Sequence, residues 1–159
     1  MKLSTQEEFG LRCLLQMARQ GPGASLTIGE LARLEGVSAP NVAKIMRVLR
    51  RGGFVVSTRG QAGGYVLSRP APQVNVGEAL AALGGRIFEA TFCDRHSGTV
   101  DLCHHATDCS IRSVWRLVQR AVDQVLGRLS LADLLAGEQH VVTSNSPKAV
   151  SLPVVSQTQ

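Results

Sequence analysis

Residues 27–67 read TIGELARLEGVSAPNVAKIMRVLRRGGFVVSTRGQAGGYVL, and this stretch decides the fold. Thr27 is placed to cap a short helix, and Glu30 three residues later completes a capping box. Leu31, Ala32 and Leu34 are its apolar positions, and Gly36-Val37-Ser38 forms a tight turn. Ser38 can cap a second helix with Pro40 in its first turn. That helix is expected to run to about Arg51 and to bury Val42, Ile45, Met46 and Leu49. Gly52-Gly53 stops the helical period. Phe54-Val55-Val56 and Tyr65-Val66-Leu67 then flank the glycine-rich RGQAGG, which is a hairpin signal.

Upstream, residues 4–20 predict one more helix, with Ser4 or Thr5 as cap and Glu7 and Glu8 in the first turn, where acids suit the helix dipole. Phe9, Leu11, Cys13, Leu14, Met17 and Ala18 recur near a period of 3.6, so Cys13 is expected in the core. Three helices followed by a hairpin make a winged helix-turn-helix. Downstream, a fourth short helix spans 76–83, and residues 89–109 form a loop rich in Cys, His and Asp. A long helix is expected from Ser110 to about Leu135, roughly 37–39 Å in length, with Ile111, Val114, Val118, Ala121, Val122, Val125 and Leu129 on one stripe. The small head cannot cover such a stripe, so it reads as a dimerisation helix. The predicted fold class is mainly α: a winged helix-turn-helix head (1–75), a connecting helix and cysteine loop (76–109), a C-terminal dimerisation helix (110–136) and a flexible tail (137–159).

Composition agrees with that division. The chain has 159 residues and a formal charge of +5. Residues 1–70 carry ten Lys/Arg against four Asp/Glu, whereas residues 71–140 carry six against eight. The positive charge thus belongs to the head, as a polyanion-binding module requires. The 44% hydrophobic content excludes wholesale disorder, and no apolar run of about eighteen residues offers a membrane span. The N-terminal MKLSTQEEFG turns acidic where a secretion signal would turn apolar, so a cytoplasmic location is expected.

Within the head, Ser38, Ala39 and Asn41 stand at the start of the second motif helix, which enters the major groove of double-stranded DNA. Lys44, Arg47, Arg50 and Arg51 follow as candidates for phosphate contacts. Arg59 at the hairpin tip can reach a minor groove or a phosphate, with Gly60, Gly63 and Gly64 permitting the reversal. The GQAGG stretch lacks the Lys-Ser/Thr of a nucleotide loop. No nucleophile sits in a strand–turn–helix context, and an enzyme is not expected.

Cys93, Cys103 and Cys109 fall inside 17 residues and offer three soft ligands to iron or zinc. Their spacings are wider than those of a zinc knuckle. An iron–sulfur cubane needs a fourth ligand, for which Asp94, His96, Asp101, His104, His105 and Asp108 are local candidates. Thiol switching or zinc binding without a cluster is the alternative, and an iron–sulfur redox or assembly protein is a third reading. The loop lies between the head and the dimerisation helix, where a cofactor could alter the spacing of two heads.

The start MKLST…EEFGLR, the head with its RGxxGGYxL wing, the helix opening VNVGEAL and the three cysteines ahead of a long helix resemble the Rrf2 family of bacterial winged-helix regulators. The resemblance covers roughly residues 1–135. It implies a homodimer that reads a palindromic operator, and a 4Fe-4S or 2Fe-2S cluster on Cys93, Cys103 and Cys109. Members that repress cluster biogenesis use a histidine three residues after the last cysteine, where this chain has Arg112. Nitric-oxide-sensing members use an acid at the eighth position, donated by the other subunit, which is Glu8 here. A redox-sensing branch adds a histidine at position twelve, where this chain has Arg12. The nine residues between Cys93 and Cys103 exceed the family's common spacing. By analogy with the nitric-oxide sensors, the carboxylate favours 4Fe-4S over 2Fe-2S, and the implied function is repression controlled by nitric oxide, redox state or iron status.

Overall fold

The structure is a computed structural model that describes residues 4–58, 63–86, 88, 92–93 and 108–145. Helix α1 spans Thr5–Arg19, α2 Ile28–Glu35 and α3 Ala39–Arg51. Strands β1 (Val55–Ser57) and β2 (Tyr65–Leu67) pair antiparallel, with Val56 opposite Val66. A 3₁₀ turn (Ala71–Gln73) leads to α4 (Val76–Gly84), and α5 (Ser110–Leu126), α6 (Leu131–Leu135) and α7 (Glu138–Asn145) follow. The winged helix-turn-helix expected from the sequence is present.

Local chemistry starts each helix of the head. Ser4, rather than Thr5, caps α1, and Glu7 closes a capping box by accepting from the Ser4 N–H at 2.7 Å. Thr27 and Glu30 form the expected box on α2, and Gly36 ends that helix with φ 65°, a left-handed conformation that glycine adopts at little cost. Ser38 holds the cap position of α3, but its hydroxyl makes no capping bond. The expectation that it would cap α3 through its side chain is corrected. Ser38 is exposed at the turn.

The core gathers Cys13, Leu14 and Met17 of α1, Leu31 of α2, and Val42, Met46 and Leu49 of α3. Ala79 and Leu83 of α4 and Leu131 of α6 complete it. Each fully buried Leu contributes about 1.5–3 kcal/mol relative to exposure. Helices α1 and α4 cross so closely at Gly10 that a Cβ there would lie 2.4 Å from Leu83 Cδ1. The base of the wing is equally tight. Tyr65 exchanges backbone bonds with Leu26 at 2.8 and 3.0 Å, and a Cβ on Gly64 would meet the Leu26 carbonyl oxygen at 2.6 Å.

Two expectations about the C-terminal part are corrected. The long helix does not continue to Leu135. It ends at Leu126, so α5 has 17 residues and spans about 25 Å. Beyond it the chain pairs with the segment entering α4: Val76 N–H donates to Leu129 O at 2.9 Å and Leu131 N–H to Val74 O at 2.9 Å. Asn75 Nδ2 also donates to Gly127 O at 2.9 Å. Leu129 is therefore buried against the head instead of lying on the exposed stripe. Ser130 then starts α6 with its own capping box to Asp133. The supposedly flexible tail likewise contains a helix, α7, begun after Gly137 and tied back by a His140–Asp133 contact of 3.2 Å. Among the described residues, no helix is long and apolar enough to cross a membrane.

Candidate functional site

Helix α3 is divided lengthwise. Val42, Ile45, Met46 and Leu49 are buried, whereas Ser38, Ala39, Asn41, Lys44, Arg47, Arg50 and Arg51 are exposed. At about 100° per residue, Lys44, Arg47 and Arg51 share the arc opposite the core, with Asn41 at one flank and Ala39 and Arg50 at the other. No acid interrupts this surface, because residues 39–51 contain none. Two other head cations are engaged elsewhere. Arg69 pairs with Glu78 at 3.1 Å and lies over the Phe54 ring, and Arg12 pairs with Glu35 at 2.5 Å. Lys44, Arg47, Arg50 and Arg51 thus stand together on α3 as an exposed group of four cations.

The wing projects beside this helix. Thr58 and Gly64 close its base: Thr58 N–H donates to Gly64 O at 2.9 Å, and Gly64 N–H to Thr58 Oγ1 at 3.0 Å. Gly64 therefore has a structural reason to lack a side chain, and Gly63 is its half-buried neighbour. Arg59 and Gly60 lie outside the described residues.

Of the cysteine trio, Cys93 and Cys109 are half-buried and unbridged, and Cys103 lies outside the described residues with Asp94, His96, Asp101, His104 and His105. Cys109 is the cap residue of α5, and its sulfur accepts from Arg112 N–H at 3.3 Å. Asp108 beside it is exposed. Residues just upstream are tied to the same helix. Phe88 N–H donates to Gln119 Oε1 at 3.0 Å, Gln119 donates to Asp123 at 2.8 Å, and Arg86 pairs with Asp123. On α1, Glu7 is occupied in the capping box, but Glu8 is exposed. Among the described residues, no three His, Cys, Asp or Glu side chains converge on a point that could hold a metal.

The remaining cysteine is buried, as expected. The Cys13 thiol is pushed up to about 11, first by burial and then by the nearby Glu35 carboxylate, with Arg12 opposing. Glu35 was not singled out from the sequence. It is the last residue of α2, is buried, and receives Arg12 and Gln16 from α1. The available signal was an acid at the C-terminus of a helix, which the helix dipole disfavours.

A reading helix with a one-signed exposed face, a wing beside it and an open apolar helix downstream describe a regulator more readily than a catalyst. Comparison with known proteins agrees. Residues 3–137 match the Rrf2 family, described as an iron-dependent transcriptional regulator. Protein rrf2 of Nitratidesulfovibrio vulgaris is 34% identical over 136 residues, covering 85% of this chain and 87% of that protein. The solved structure of T. potens IscR is 28% identical, covers 86% and 87% of the two chains and superposes with a TM-score of 0.63. CymR of B. subtilis, the global cysteine regulator, is 24% identical, covers 86% and 97%, and shares the fold with a TM-score of 0.64. The relatives are transcriptional regulators, not enzymes. The chain belongs to the Rrf2 family and is a DNA-binding transcriptional regulator.

Proposed function

We propose that this regulator is a homodimeric, cytoplasmic repressor whose binding to a palindromic operator is controlled by an iron–sulfur cluster. The observation that carries the reading is the position of Cys109, which opens α5 while that helix presents Ile111, Val114, Leu117 and Val125 half to two-thirds exposed. One residue thus joins a soft metal ligand to the helix best suited to meet a second copy.

The donor set suits the group. Cys93, Cys103 and Cys109 supply thiolates, and the N–H of Arg112 directed at the Cys109 sulfur is the kind of bond that tunes cluster sulfurs. Glu8 of the other subunit supplies the fourth ligand, because Glu7 is committed to the α1 cap. Bound there, the cluster provides a centre reactive toward nitric oxide, oxygen or redox change. A carboxylate is a poorer ligand for iron than a thiolate, so Glu8 would be the ligand most readily lost, and analogy with the nitric-oxide-sensing members favours 4Fe-4S. Ser38 and Asn41 approach base edges, while Lys44, Arg47, Arg50, Arg51 and Arg59 hold phosphates, with Ala39, Gly60, Gly63 and Gly64 allowing close approach.

Anaerobic purification followed by Mössbauer spectroscopy and native mass measurement tests this reading. A brown dimer with iron and sulfide near stoichiometry is expected. A colourless protein carrying zinc alone, or one that responds only to thiol oxidation, overturns it in favour of a zinc-bound or thiol-switch regulator. Glu8→Ala is expected to shorten the cluster's lifetime, and an unchanged lifetime removes Glu8 from the ligand set.

A further inference from the structure

Glu35 is an unusual residue in its place. Its side chain is 4% exposed, and it ends α2 immediately before the turn of the motif. A carboxylate there is opposed twice, by the negative end of the helix dipole and by loss of water. Both of its oxygens are satisfied from one helix. Arg12 Nε donates to Oε2 at 2.5 Å, and Gln16 Nε2 donates to Oε1 at 2.7 Å. Arg12 is itself steadied by the Phe9 ring, 5.0 Å from its guanidinium carbon. Arg12 and Gln16 stand four residues apart, so they share a face of α1, and Glu8 stands four residues further back on the same stripe. The other end of α1 is fixed as well. Gln6 donates to the Leu83 carbonyl, and Gly10 lies directly against Leu83. Helix α1 is therefore a stiff bar about 12 Å long between residue 8 and the residue-16 contact to the turn.

The pair is half-buried, with Glu35 enclosed and the Arg12 side chain 45% exposed, so its net contribution to stability is small and what it can supply is one fixed geometry. We propose that Arg12, Gln16 and Glu35 are positioning residues for operator binding: they lock the helix-turn-helix onto α1 and thereby set the angle at which α3 meets the groove. The extension of this lock to residue 8 rests on the cluster reading above. The lock itself requires only that the chain binds DNA.

Glu35→Gln separates positioning from simple electrostatics, because the two predict opposite signs. Removing an acid from a basic head strengthens attraction to any duplex. Loss of positioning instead weakens binding to an operator selected by the full-length protein from a random pool, by roughly three- to thirty-fold. Binding to an unrelated duplex then holds or rises. An operator affinity unchanged or increased in Glu35→Gln overturns the proposal. If thermal melting shows that this variant does not fold, Gln16→Ala moves no charge and reads the same lock. A several-fold loss of operator preference is expected, and an unchanged preference overturns the proposal. Arg12→Lys, which keeps the cation, should retain more preference than Arg12→Gln, and equal loss in both counts against the lock.

The cluster reading fails separately. If the wild-type protein binds its operator equally with and without iron, that reading is rejected, while Glu35→Gln in the protein as purified still decides the positioning claim. If iron changes wild-type affinity, Glu35→Gln should bring the ratio of the two affinities toward one at unchanged iron content. A ratio kept at the wild-type value breaks the link to residue 8.

Discussion

At Cys13, burial and a neighbouring carboxylate push in the same direction, and the consequence is a pH dependence of stability with a defined sign. The unfolded thiol loses its proton near 9.0, whereas the folded one keeps it to about 11. Between those values the unfolded chain binds fewer protons, so stability falls as pH rises, by on the order of 2–3 kcal/mol for this group. Denaturant melts from pH 8 to 11 should show this loss in the wild type and a flatter profile in Cys13→Ala. In the folded protein at pH 8, alkylation followed by peptide mass mapping should label the half-buried Cys93 and Cys109 and spare Cys13. Gly64 makes a second residue-scale prediction. A methyl group there meets the Leu26 carbonyl at 2.6 Å, so Gly64→Ala must part the Leu26–Tyr65 bridge. A cost of about 1–3 kcal/mol in urea is expected, with weaker DNA binding as the wing shifts. The fate of Cys13 could be read from periodicity alone. That of Glu35 could not, because the residues that make its burial tolerable belong to another helix, 19 and 23 positions away.

Among the elements, those with local causes were legible. Thr27 with Glu30, the left-handed Gly36 and the glycines after Arg51 act within a few residues, and α2 and α3 have the expected extents. The end of α5 depends on a partner 52 residues away. The apolar pattern runs on past Leu126, but the carbonyls of Gly127 and Leu129 bond to Asn75 instead of continuing the helix. Asn75 also caps α4 by accepting from Glu78 N–H at 3.0 Å. Asn75→Ala therefore removes a cap and two cross-connections together. Thermal melting should show a loss of about 1–3 kcal/mol, and hydrogen exchange should show fraying concentrated at the start of α4 and the end of α5. The causes of α7, Gly137 and the contact from His140 back to Asp133, are nearby, but no Ser, Thr, Asp or Asn immediately precedes Glu138 to announce a helix start.

For the whole molecule, the apolar face of α5 sets the expected assembly. Val114→Glu places a charge amid Ile111, Val125 and their neighbours, and should move the sedimentation coefficient from dimer toward monomer. Operator affinity at fixed protein concentration should fall with it. A variant that remains dimeric removes α5 as the seam. The pairing of segment 74–76 with residues 129–131 has a further consequence. The DNA-reading head takes Ala79, Leu83 and Leu131 from beyond residue 75 to close its core. A fragment of residues 1–75 should therefore give a denatured circular dichroism spectrum, while the chain nicked within the cysteine segment should keep its two pieces together through gel filtration. The reader is not a detachable cassette. Gene fusion or recombination that transplants it must carry the sequence on both sides of the sensor, so reader and sensor are inherited together.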